Sequence, residues 1–174
     1  MTIVLSDDAA LAARAVSLAR RLTASGKTIA TVESCTGGWI AKLLTDVPGC
    51  STWFESGLVT YSNAAKQSLL GVSAMTLRDA GAVSRACALE MVLGIRGRFD
   101  ADLAVAVTGI AGPTGGSPGK PVGTVWIAWS SRQDQPRVER FTYDGDRDAV
   151  RRQSVAAALD GLLVLAGQVG PSGR

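Results

Sequence analysis

The chain contains no histidine in 174 residues. Neither a Ser-His-Asp nor a Cys-His pair can be built from it, and histidine-based zinc sites are excluded as well. A nucleophilic enzyme made from this chain must take its proton acceptor from Lys, Tyr, Asp, Glu or a water. Cysteine is scarce too. Cys35, Cys50 and Cys87 are too scattered for a Cys-only metal site and lack the paired spacing of a disulfide framework, which suits a reducing compartment. No apolar run is long enough to span a bilayer. Met1 to Arg14 carries two adjacent aspartates and no basic stretch, so it does not read as a signal peptide, and a cytoplasmic protein is expected. No Lys/Arg block occurs. The net charge is +3, and the arginines after position 131 are interleaved with Asp134, Glu139, Asp144, Asp146, Asp148 and Asp160. Binding to nucleic acid would need cations clustered on one face, so no nucleic-acid partner is expected.

What is present describes a packed α/β chain. Hydrophobic residues make up 47% and charged residues 19%, a globular balance. Asp7 or Asp8 caps a first helix to about Ser25, which Gly26 ends. A strand over Thr28–Val32 and a short helix over Trp39–Thr45 follow. The spacing predicts an extended segment over Thr52–Tyr61 and a helix capped by Ser62 or Asn63 through Leu70. A short helix opened by Ser73 is predicted over Met75–Ala80, and a longer one capped by Ser84 through Arg98. Asp102–Val107 is nearly all apolar, as in a buried central strand. Strands over Val122–Trp129 and Val138–Tyr143 form an antiparallel pair, and a last helix, capped by Asp144 or Asp146, runs to about Gly167. This order predicts a layered α/β/α single domain over residues 1–167 with a mixed parallel/antiparallel sheet, followed by a flexible tail over 168–174. No coiled coil or interface stripe declares an assembly, and a homo-oligomer stays open.

The chemistry concentrates at Thr31-Val32-Glu33-Ser34-Cys35-Thr36-Gly37-Gly38. A strand, a Gly-bearing turn and a helix start bring backbone N–H groups and a side-chain nucleophile to one point. Ser34 reads as that nucleophile, against the plainer reading of a helix cap. The spacing is neither a G-x-S-x-G elbow, since Val32 stands two residues before, nor S-x-x-K, since Gly37 stands three residues after. Cys35 is either a rival nucleophile or a small buried hydrophobe. Tyr61 and Lys66 flank a strand-to-helix junction. In a histidine-free chain a desolvated lysine is the natural base, because burial disfavours its charged form. Thr108 to Gly116 is a Gly-rich loop at the end of the buried strand and reads as a pocket wall offering N–H groups to an anion. Arg147, at the start of the last helix, is either offset by Asp144, Asp146 and Asp148 or pairs with a bound phosphate.

Four ordered motifs resemble one family. They are Glu33-Ser34-Cys35-Thr36-Gly37-Gly38; Tyr61-Ser62-Asn63 with Lys66 and Leu69-Leu70-Gly71-Val72; Thr108-Gly109-Ile110-Ala111-Gly112-Pro113; and Lys120-Pro121-Val122-Gly123-Thr124-Val125. Together they look like the CinA C-terminal domain family, whose stand-alone members include PncC-type nicotinamide-nucleotide amidases. The resemblance implies hydrolysis of nicotinamide mononucleotide to nicotinic acid mononucleotide and ammonia, without metal or cofactor. It implies Ser34 as nucleophile with Lys66 and Tyr61 as the base system. Substrate contacts are expected from Cys35, Thr36, Gly37 and Gly38, with N–H groups near Thr36 to Gly38 on the oxyanion. Others are expected from Thr108, Gly109, Ala111, Gly112 and Arg147, with the phosphate held by the Thr108–Gly112 loop, by Arg147 or by both. The expected partner is the small nucleotide alone, with no membrane. The alternative is a non-catalytic nucleotide-binding or regulatory module that keeps the same pocket.

Overall fold

The computed structural model describes residues 6–168. The expected tail falls outside them beyond Gln168, as do the first five residues of the stretch inspected for a signal sequence. Helix α1 (Asp8–Ser25) is capped by the Asp7 carboxylate, which accepts the Ala10 N–H at 2.7 Å. Strand β1 (Ile29–Glu33), helix α2 (Trp39–Thr45), a 3₁₀ turn (Cys50–Thr52) and strand β2 (Phe54–Val59) follow. Helices α3 (Asn63–Leu70), α4 (Ala74–Asp79) and α5 (Arg85–Phe99) are capped by the hydroxyls of Ser62, Ser73 and Ser84. Strands β3 (Leu103–Gly109), β4 (Thr124–Ser131) and β5 (Arg137–Thr142) lead to α6 (Arg147–Gln168), whose Ala149 N–H is capped by Asp146.

Several strand ends depart from expectation: β2 stops at Val59 rather than Tyr61, β3 continues past Val107 to Gly109, and β4 continues past Trp129 to Ser131. The segment expected to be extended from Thr52 is a 3₁₀ turn at its start, so β2 begins at Phe54. The strand expected from Val122 begins at Thr124, because Gly123 turns at φ +91°. A Cβ there would lie 2.0 Å from the Tyr143 carbonyl oxygen, an approach only glycine permits.

The five strands form one mixed sheet in the order β2-β1-β3-β4-β5. β1 runs parallel to both β2 and β3, whereas β3–β4 and β4–β5 are antiparallel. Helices α1, α2 and α6 cover one face and α3, α4 and α5 the other, giving the expected α/β/α layering. Alternation along β3 separates the two cores. Leu103, Val105 and Val107 face the first, and Ala104 and Ala106 face the second.

This topology makes the site. β1 and β3 end side by side at their carboxyl ends, and the ladder closes with the Ser34 N–H donating to the Val107 carbonyl at 2.9 Å. On the other flank the Thr60 N–H donates to the Glu33 carbonyl at 2.9 Å. The segments after β1, β2 and β3 therefore leave the sheet together, where ligands of open α/β sheets bind.

Helix α3 is drawn close to α5. A Cβ on Gly94 would meet the Leu70 carbonyl oxygen at 2.2 Å, whereas one on Gly97 of the same helix meets nothing within 4 Å. Gly94→Ala should lower unfolding stability by about 1–3 kcal/mol through overpacking against fixed backbone. Gly97→Ala should raise it by roughly 0.5–1 kcal/mol through helix propensity and a less free unfolded chain. Urea unfolding of the two variants beside wild type measures both signs.

Candidate active site

Lys66 lies in the first turns of α3 and is 1% exposed, the largest of the fully buried side chains. Its Nζ stands 3.2 Å from the Ser34 Oγ and donates to the Thr60 carbonyl at 2.6 Å. Burial holds its pKa below the ordinary value of 10.5, only partly opposed by the nearby Cys87 and Cys35 thiols. An amine that gives up its proton more easily, with a hydroxyl at hydrogen-bond distance, is an arrangement that can pair a base with a nucleophile. Cys35 is different. Desolvation, with a smaller effect from the Glu33 charge, pushes its thiol up to about 11, so it stays protonated near neutrality. It is 5% exposed and packs in the first core while touching the cavity.

A cavity of about 340 Å³ opens above this pair. It is lined by Ser34, Cys35, Tyr61, Lys66, Thr108, Gly109, Ala111, Gly112 and Arg147, so nine of the residues singled out from sequence meet there. Thr36, Gly37 and Gly38 do not line it. These three were expected to contact the substrate; in the structure a buried side chain occupies that helix end. The Glu33 carboxylate accepts N–H groups from Gly38 at 3.1 Å, Ile40 at 3.1 Å and Ala41 at 2.9 Å. The Gly37 N–H is also taken, by the Ser34 carbonyl at 3.1 Å. Among the described residues, the N–H groups of Cys35 and Thr36 donate to no other residue.

Tyr61 is not wired as a relay between Lys66 and Ser34, which meet directly. The residue is 61% exposed, and its hydroxyl accepts from Arg147 Nη2 at 3.1 Å. Nη1 of the same guanidinium donates to the Gly112 carbonyl at 2.9 Å. Arg147 thus bridges the junction after β2 and the loop after β3 across the cavity mouth. Thr108 is a wall residue whose hydroxyl is already committed. It donates to the Ala82 carbonyl at 2.8 Å and holds the Ala82–Val83 segment, which sequence reasoning missed, against the cavity. Ile110, Thr114 and Gly115 complete the lining.

Comparison with known proteins places this arrangement. Residues 11–166 match the CinA C-terminal domain. The chain belongs to the CinA C-terminal domain family. The nicotinamide-nucleotide amidohydrolase PncC of Escherichia coli (strain K12) is 52% identical over 141 residues, which span 81% of this chain and 86% of that protein. The protein of the same name from Pseudomonas putida is 58% identical over 139 residues, covering 79% and 85%. The crystal structure of a competence damage-inducible protein A from Klebsiella pneumoniae superposes with a TM-score of 0.88 at 39% identity, covering 92% of this chain and 99% of that one.

Two further residues of this CinA C-terminal domain shape the site and were not singled out from the sequence. Glu33 was read only as part of a motif, although a glutamate at the end of an otherwise apolar strand, directly before a Gly-Gly helix start, is a signal for internal capping. Arg151, one turn beyond Arg147, grips the backbone of the turn after Ser34. No local pattern marks it, since its partners are about 115 residues away in the chain.

Two outcomes follow from this geometry. Glu33→Gln leaves one acceptor oxygen where two serve three N–H groups and should cost about 1–3 kcal/mol of stability, measured by denaturant unfolding. The stability of wild type relative to Lys66→Met should rise with pH. In the folded chain Lys66 releases its proton below 10.5, while in the unfolded chain it still holds it. The penalty for burying the charge is therefore complete below the folded pKa and vanishes above 10.5. Unfolding curves of both proteins taken up to alkaline pH measure the slope.

Proposed function

We propose that this protein hydrolyses the carboxamide of nicotinamide mononucleotide, releasing ammonia and nicotinic acid mononucleotide through an acyl-enzyme on Ser34. The observation that carries the reading is the buried Lys66 Nζ at 3.2 Å from the Ser34 Oγ. Support for the substrate comes from the relatives named nicotinamide-nucleotide amidohydrolase. The cavity volume falls in the range of about 300–1,000 Å³ usual for small-molecule sites. The exposed Arg147 at its mouth supplies a planar cation suited to a phosphate.

Neutral Lys66 accepts the Ser34 hydroxyl proton as Oγ bonds to the carboxamide carbon and the carbonyl electron pair moves onto oxygen. Its other polar contact, the Thr60 carbonyl, accepts from Nζ throughout and keeps the lone pair directed at Oγ. The N–H of Cys35, a residue that lines the cavity, donates to no other residue and is the donor left for the oxyanion. As the tetrahedral species collapses, the carbon–nitrogen bond breaks and Lys66 returns its proton to the leaving nitrogen, which departs as ammonia. Water then attacks the ester carbon and gives its proton to Lys66. Ser34 leaves with that proton and the acid product is freed. Tyr61, held by Arg147, flanks the entrance and positions the substrate rather than carrying the proton.

Purified protein incubated with nicotinamide mononucleotide should yield ammonia and the acid in equal amounts. Lys66→Met should lower kcat by about 10²–10⁴-fold, the usual worth of a lost base, and Ser34→Ala, which has no atom to acylate, should abolish product release. Cys35→Ala should stay within a few-fold of wild type. The profile of kcat/KM against pH should climb as Lys66 loses its proton, with the limb below 10.5. An inactive Cys35→Ala with an active Ser34→Ala would move the chemistry to the thiol. Saturable nucleotide binding without product would establish the non-catalytic module instead.

A further inference from the structure

Lys120 opens the last of the four sequence motifs, and neither the sheet nor the chemistry proposed above uses it. It lies near the end of the long segment between β3 and β4. The base of that segment is fastened by backbone bonds. The Ile110 N–H donates to the Thr124 carbonyl at 2.9 Å, and the Gly123 N–H to the Ile110 carbonyl at 2.8 Å. Residues 113–119 are exposed, yet Thr114 and Gly115 form part of the cavity wall. The far end turns back through two backbone bonds between Ser117 and Lys120, at 2.9 and 3.0 Å. Lys120 itself is half-buried and does not line the cavity, and its Nζ donates to the Ala80 carbonyl at 2.6 Å. Gly81, at a φ of +79°, permits the approach: a Cβ there would already lie 3.5 Å from Nζ.

The bond joins two walls of one cavity. Ala82 and Val83 line it from the segment before α5, and Thr114 and Gly115 from the loop after β3. On the first wall three consecutive carbonyls are each held by a side chain: Ala80 by Lys120, Gly81 by the Ser84 hydroxyl at 2.8 Å and Ala82 by the Thr108 hydroxyl at 2.8 Å. Ser84 and Thr108 would keep hold of this wall without Lys120. The loop wall has less to hold it. Among the described residues, the other side-chain bond that ties 113–120 to the fold is a 3.3 Å contact from the exposed Arg140 to the Gly119 carbonyl.

We propose that Lys120 is a positioning residue for ligand binding: its bond to the Ala80 carbonyl latches the wall of Thr114 and Gly115 against the wall of Ala82 and Val83, and so sets the affinity of the cavity. Lys120 touches neither ligand nor reacting atoms. The inference rests on the proposed function only in taking this cavity as the nucleotide site. A ligand that needs both walls binds the latched form, so its apparent dissociation constant rises as the latched fraction falls.

The test compares wild type with Lys120→Met, which keeps the aliphatic stem and removes the donor. Amide hydrogen exchange read by mass spectrometry follows the segments 113–120 and 80–84, with β1 and β3 as internal controls. Titration calorimetry with nicotinamide mononucleotide gives Kd for each protein in a Ser34→Ala background, where no turnover disturbs the reading. Steady-state assays on the proteins that retain Ser34 give kcat and KM.

In Lys120→Met, exchange over 113–120 should quicken about 10-fold, the worth of one such hydrogen bond. The change over 80–84 should be smaller, and β1 and β3 should match wild type. Kd and KM should rise together by about 3–10-fold, while kcat stays within about two-fold. Unchanged exchange over 113–120 would overturn the latch, and a raised Kd beside it would make Lys120 a direct ligand contact. Faster exchange with an unchanged Kd would overturn the link between the wall and affinity. Exchange quickened over β1 and β3 as well would overturn the proposal in favour of a general folding role. A lowered kcat with unchanged KM would do so in favour of a part in the chemistry. Nucleotide binding that depends on Lys120 in a protein without turnover would uphold the latch and refute the amidase. A wild type that binds no nucleotide would refute that substrate, and the exchange rates alone would then uphold or overturn the latch.

Discussion

The desolvation of Lys66 is the constraint on which the rest of the site depends. An ammonium in water is a poor base near neutrality, and only burial makes the neutral amine available. Several features of the fold achieve that burial together. Ser62 starts α3 at the point where the chain leaves β2, which sends Lys66 inward. The close approach of α3 and α5 at Gly94 leaves little room for solvent between them. The Thr60 carbonyl supplies the one strong acceptor that an otherwise apolar setting must provide, because a buried amine without a partner would be costly. What remains of its hydrogen-bonding capacity is directed at Ser34.

The N–H groups at the start of α2 are taken up by the protein itself. A helix N-terminus attracts any anion, whether substrate or side chain. Here Glu33 claims it from within, with three N–H groups on one buried carboxylate. Because Glu33 is the last residue of β1 and Ser34 is the next, the cap fixes the residue beside Ser34 to the helix that follows it. Arg151 secures the carbonyl side of the same turn. Two opposite charges, one from the strand and one from a distant helix, thus hold the five-residue segment between β1 and α2 without occupying the cavity.

The mouth is assembled from parts with no local relation. Arg147 at the start of α6 links Tyr61, after β2, to Gly112, after β3. Thr108 ties the end of β3 to Ala82, ahead of α5. Such cross-links give a Gly-rich loop a fixed wall, which matters because catalysis gains from geometry set before substrate arrives.

Element types, their order and their caps were legible in the sequence because they are local. Asp7, Ser62, Ser73, Ser84 and Gly26 sit where short-range hydrogen bonds and backbone conformation start or end helices. The absence of histidine left lysine as the natural base, and the motif order pointed to the family. The direct meeting of Lys66 with Ser34, the diversion of Tyr61 to Arg147, the use of the α2 N-terminus by Glu33 and the grip of Arg151 were decided only in three dimensions. Each depends on which partner reaches a given polar group first when residues far apart in the chain are packed together, and neither periodicity nor spacing encodes that competition.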